Sequence, residues 1–128
     1  MIQISTYFSD LGSPEAPWTY LYVLKDCGEI DSPRTRVVRF KSEREMLIAW
    51  ATLIRNSDPD LIHAYNGWSF DYGYLAGRAK ITGCWEEFCS LLGRIDSIKT
   101  TLIEKTMSSN AYGDNHWKLL PMSGRLGK

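Results

Sequence analysis

A chain of 128 residues with 44% hydrophobic and 23% charged residues is ordinary globular material, enough for one domain with a modest core and not for two independent ones. Fifteen Lys and Arg balance fifteen Asp and Glu, so charge alone gives no sign of non-specific attraction to a phosphate backbone. The longest apolar stretch, Met46–Ile54, falls far short of the roughly 20 residues of a membrane helix.

No basic leader precedes an apolar run and a small-residue cleavage site, so an intracellular protein with no membrane partner is expected. The odd set Cys27, Cys84 and Cys89 has neither a disulfide framework nor zinc-ligand spacing, and His63 and His116 add none. The thiols are expected to be structural.

In Met1–Phe8, Ile2 and Ile4 alternate with Gln3 and Ser5, the period of a strand. Ser9–Pro17 is a loop rich in Gly, Ser and Pro. Thr19–Leu24 is an almost continuous aromatic and aliphatic run, which suits a buried or central strand. After the turn-rich stretch Asp26–Pro33, Thr35–Phe40 reads as a third, half-polar strand. Together the three look like the antiparallel part of a sheet.

Ser42 and Glu45 form a capping-box pattern, with Met46, Trp50, Leu53 and Ile54 on one helix face and Leu47 beside them. Pro59 stops that helix. Leu61–Tyr65 is short and apolar enough for a strand buried on both faces. Asn66 and Gly67 make a turn, and Ser69–Lys80 reads as a second helix with Phe70, Tyr74, Leu75 and Ala79 inward. A short helix is expected near Trp85–Leu92. Ile95–Trp117 reads as irregular with short helical pieces, and Lys118–Arg125 as the entry to a last strand, as though the chain were cut inside a domain. The profile is an α/β layered fold, in which the first three strands and Leu61–Tyr65 form one mixed sheet covered by the helices from Ser42 and Ser69.

The stretch richest in chemistry is 58–75, DPDLIHAYNGWSFDYGYL. A strand there delivers a tight turn and then Asp71 in the first turn of a helix, where the dipole and free N–H groups favour a carboxylate. A carboxylate at the C-terminal edge of a sheet suits a hard divalent cation, and two such ions can activate water for phosphodiester hydrolysis. One carboxylate cannot hold such a pair.

DPD, an apolar strand, YN, three residues, then FD and YL resembles the second exonuclease motif of family B DNA polymerases. MIQIS resembles the strand just after that family's first motif, and SEREMLIAWATLIRNSDPD the helix before the second. LGRI at 92–95 and GDNHWKLLPMSGR resemble the stretch leading into the next strand in the eukaryotic delta-type and large DNA virus branch. The resemblance covers nearly the whole chain in order. It implies an RNase H-like fold and removal of mispaired 3′-terminal nucleotides with two divalent metal ions (Mg²⁺ or Mn²⁺). It matches Asp71 to a catalytic metal-ligand aspartate, and Asn66 and Phe70 to residues near the bound DNA strand; for Phe70, packing is as good an expectation as base stacking. The implied partners are a single-stranded DNA 3′ end and deoxynucleotides, in the nucleus or at a viral replication site.

The family's first motif, Asp-x-Glu on the central strand, has no match anywhere in the chain and is expected upstream of Met1; the third, Tyr-x-x-x-Asp, is expected beyond Lys128. Tyr22 and Asp26 have the latter spacing but precede the second motif, inside a strand and a turn. The chain therefore reads as an internal fragment of a polymerase exonuclease domain, inactive and poor at holding metal alone, that lacks polymerase segments on both sides. The alternative is a degenerate RNase H-like nucleic-acid-binding or scaffold module without catalysis. A nucleotide-binding α/β domain is a weaker third reading, because no Gly-rich phosphate loop follows any strand.

Overall fold

A computed structural model of the chain describes residues 1–65, 67, 70–95, 99–111 and 113–119. The chain divides into two compact units, Met1–Trp50 and the residues from Ala51 onward.

The first unit is built on a three-stranded mixed sheet of β1 (Gln3–Phe8), β2 (Trp18–Leu24) and β3 (Thr35–Phe40), in that order. β1 and β2 are antiparallel, from Gln3 opposite Val23 to Phe8 opposite Trp18. β2 and β3 run parallel, with Thr19 opposite Thr35 and Leu24 opposite Phe40. The expectation of three antiparallel strands is therefore wrong at β3. The connection from Lys25 to Arg34 is long enough to return along β2, whereas antiparallel neighbours are joined by tight turns. The ladder is bonded at both ends in the parallel sense, Thr19 N–H to the Arg34 carbonyl (2.9 Å) and Lys25 N–H to the Phe40 carbonyl (2.7 Å). β2 is central, as its apolar run suggested, and Tyr22 and Val23 are buried.

α1 (Glu43–Ser57) starts where the capping box places it. Ser42 N–H donates to Glu45 Oε2 (3.1 Å), and Glu45 N–H donates back to Ser42 Oγ (3.2 Å), which satisfies two N–H groups reciprocally. Met46, Leu47 and Trp50 are buried. Trp50 Nε1 donates to Thr6 Oγ1 (3.0 Å), so the first turns of α1 cover the face of the sheet that carries Thr6. Phe8 meets Tyr20 edge-on and Tyr22 meets Phe40 at a tilt on that same face.

The second unit contains the end of α1, α2 (Asp71–Ile81), α3 (Trp85–Leu92) and the antiparallel ribbon of β4 (Ile103–Ser109) and β5 (Gly113–Leu119). Its core gathers Leu75, Ala76 and Ala79 from α2 with Cys84, Phe88, Cys89 and Leu92. Leu75 and Ala79 were expected inside, but Phe70 and Tyr74 were too, and they are 68% and 53% exposed. Phe70 precedes the first helical residue and so escapes the apolar stripe, while Ala76 takes the inward place. α3 has the expected bounds.

Two expectations about strands fail. Leu61–Tyr65 forms no ladder: residues 61–64 are irregular and Tyr65 enters a turn. An apolar run becomes a strand only beside a partner edge, and among the described residues none lies along it. Leu61 and Tyr65 are accordingly 70% and 99% exposed. Within 95–117, read as irregular and partly helical, β4 and β5 pair instead, from Ile103 opposite Leu119 to Ser109 opposite Gly113. Residues 110–112 close the ribbon, and Gly113 at φ +68 supplies the left-handed residue that such a short connection needs. Lys118 and Leu119 belong to β5, not to a separate strand; the rest of Lys118–Arg125 lies outside the described residues. No helix among the described residues is long and apolar enough to cross a membrane.

Candidate functional site

The chain reaches the site through a clasp. α1 ends with Asp58 N–H on the Ile54 carbonyl (3.0 Å), and Asp58 takes a left-handed conformation at φ +41. The guanidinium of Arg94 grips Asp58 with both ends, Nε to Oδ1 (2.7 Å) and Nη2 to Oδ2 (3.0 Å), and reaches Asp60 at 3.6 Å. The two carboxylates hold the Arg94 pKa above its usual value, the bond to Asp58 contributing most. In the opposite direction, Arg55 donates to the carbonyls of Ser90 and Gly93 at the end of α3, where a cation also suits the helix dipole. Between these contacts lies a cleft of about 440 Å³ with Ile62, Leu91 and Leu92 in its wall. DPD and LGR, far apart in sequence, are thus tied together.

From there a tight turn brings the chain to α2. Gly67 N–H donates to the Ala64 carbonyl (3.4 Å), and the Gly67 carbonyl accepts from Tyr72 N–H (3.0 Å), one of the first-turn donors of α2. A Cβ on Gly67 would stand 2.7 Å from Ala64 Cβ and 3.0 Å from the Tyr72 ring. Only glycine fits. No side chain caps α2 at Phe70, so the Gly67 carbonyl does part of that work. Burial, and secondarily the charge of Asp71, raises the Tyr72 phenol pKa.

Asp71 stands at the first position of α2, on the surface, and forms no ion pair among the described residues. Phe70 is exposed immediately before it, and Tyr74, one turn on, is half exposed on the same side of the helix. The structure therefore brings Asp71 and Phe70 together at a helix start. Asn66 lies outside the described residues. Gly67 and Tyr72, which fix the approach to Asp71, were missed as site residues. The available signal was a glycine inside the motif, read only as a turn former. Tyr22 and Asp26 take no part: Tyr22 is buried in β2, and Asp26 pairs with Arg39 at 2.6 Å, which lowers the Asp26 pKa.

An exposed carboxylate on a helix N-terminus can supply one oxygen ligand to a hard cation. Among the described residues no three His, Cys, Asp or Glu side chains cluster to hold a metal. The donor set thus fits a single ligand position of a shared site and not a complete one.

Residues 1–126 match the family described as DNA polymerase family B, exonuclease domain. The chain belongs to that family, whose RNase H-like architecture is consistent with the mixed sheet and helices seen here. It is similar to the DNA polymerase of Pyramimonas orientalis virus, with 32% identity over 98% of this chain and 10% of the viral protein. It is 33% identical to the DNA polymerase delta catalytic subunit of Schizosaccharomyces pombe and 37% identical to that of Arabidopsis thaliana, in each case over 98% of this chain and 11% of the relative. The chain spans about a tenth of the length of these relatives.

Proposed function

We propose that this chain provides the second motif of a 3′→5′ proofreading exonuclease within a family B DNA polymerase. Asp71 is the metal-ligand carboxylate, and Asn66 and Phe70 lie along the single-stranded DNA 3′ end. The observation that carries this reading is an exposed carboxylate, without an ion pair among the described residues, at a helix start inside a family match over 1–126. Two divalent ions, Mg²⁺ or Mn²⁺, would supply an activated water and stabilise the leaving oxygen when bound. The chain's own part is to hold Asp71 on the rigid end of α2 through the Gly67–Tyr72 contact and to offer the exposed ring of Phe70 to a base. The remaining carboxylates come from segments matching the family's Asp-x-Glu and Tyr-x-x-x-Asp motifs. The relatives are replication polymerases, which gives the nucleus or a viral replication site as the place of action.

The test compares two polypeptides. The 128-residue chain should not degrade single-stranded DNA with either metal. A polypeptide extended by its native flanking segments should show metal-dependent 3′→5′ activity, and Asp71→Asn should lower it by more than about 100-fold, beyond the loss typical of outer-shell partners. Trp50→Phe, a packing change, should leave activity per folded molecule close to normal. Near-full activity of Asp71→Asn at saturating metal would remove Asp71 from the site.

A further inference from the structure

β1 ends the sheet, and no described strand lies along its outer side. Leu24 N–H donates to the Ile2 carbonyl (2.8 Å), which, with the register, sets the direction of every polar group in the strand. Ile4, Thr6 and Phe8 turn N–H and C=O toward β2, while Gln3, Ser5 and Tyr7 turn theirs outward. The side chains of these three residues emerge on the face opposite Thr6 and Trp50, and all are exposed.

Edge strands are normally guarded by charge, proline or a bulge. The other edge of this sheet, β3, carries exposed Arg36 and Arg39. β1 reads QISTYF, without charge or proline, and its register with β2 is unbroken.

We propose that β1 is a strand-accepting edge whose occupant is β1 of a second copy of this chain, paired antiparallel about a two-fold axis at Ser5. A two-fold axis perpendicular to the sheet keeps like faces together and requires an outward-turned residue to face itself. Ser5 is the middle of the three such residues. Ser5 then faces Ser5, and Gln3 faces Tyr7 of the second copy, giving about six backbone hydrogen bonds. Between them Ile4 comes opposite Thr6 on the face that α1 covers. Ser5 is small enough to meet its copy at the axis, and the exposed ring of Tyr7 lies over the Gln3 stem. No like charges oppose one another along the strand. In a longer polypeptide an upstream strand would compete for this edge.

The experiment is sedimentation of the 128-residue chain over a range of concentrations, with amide exchange read alongside. The mass should rise from 14.7 kDa toward twice that value, with the Gln3, Ser5 and Tyr7 amides protected in the heavier species. Ser5→Pro removes an outward N–H and leaves the β1–β2 ladder intact, so it should give a monomer with an unchanged circular dichroism spectrum. Ser5→Lys sets like charges face to face and should weaken dimerisation by about tenfold or more, with partial recovery in salt. A chain that stays monomeric at its highest soluble concentration overturns the proposal. So does a dimer that survives both substitutions, or protection of these amides in a species of monomer mass.

Discussion

Gly67 is the residue on which the placement of Asp71 depends. Its lack of a side chain lets the turn pack against Ala64 and Tyr72 while its carbonyl accepts from the first turn of α2. Gly67→Ala forces a 2.7 Å contact with Ala64 Cβ, and neither partner is a flexible chain end that can yield easily. We expect a loss of about 1–3 kcal/mol in unfolding free energy, the usual penalty of overpacking, with faster exchange of the Tyr72 amide. An unchanged unfolding midpoint and an unchanged Tyr72 amide would show that the turn accommodates a methyl group. From sequence, the glycine between Asn66 and Trp68 could be read as a turn. Its close approach to a ring five residues later depends on how the turn folds back, which residue type does not encode.

At the scale of elements, α1 shows how far local chemistry reaches. Both halves of its capping box form, and the interacting groups are three residues apart. Ser42→Ala should cost about 1 kcal/mol, seen as a lower midpoint in urea with an unchanged slope; a loss well below that would mean that water caps the helix as well. α3 was equally legible, because Trp85, Phe88, Cys89 and Leu92 recur at helical spacing. Leu61–Tyr65 and the β4–β5 ribbon were misread for one reason in opposite directions. The first is apolar but has no strand beside it; the second is polar, IEKTMSS against GDNHWKL, and is held by cross-strand pairing. Strand identity is a property of pairs, and no single segment carries it.

At the scale of the whole molecule, several buried acids share one response to pH. Burial pushes the Cys89 thiol from its ordinary 9.0 up to about 12, with the charge of Glu86 adding to the shift. Burial likewise raises the Tyr22 and Tyr72 phenols. In the folded chain these groups keep protons that the unfolded chain releases, so stability is intact below about pH 9 and falls as pH rises toward 12. Thermal midpoints measured from pH 8 to 11 should decline steadily, and Cys89→Ala should flatten part of the slope. A midpoint that rises across that range would contradict the burial of these groups.

The sequence by itself determined the class of the chain, the position and cap of α1, the extent of α3, the central place of β2 and the location of Asp71 at a helix start. Each rests on residues within a turn or two of one another, or on a motif contiguous from Asp58 to Leu75. Only the tertiary structure decided the parallel direction of β3, the unpaired course of Leu61–Tyr65, the ribbon after Thr101, the Arg94 grip on Asp58 and the outward turn of Phe70 and Tyr74. These depend on which backbone edge or charged group comes alongside. A chain can state what each segment is able to form, but the partner that makes it form arrives through space.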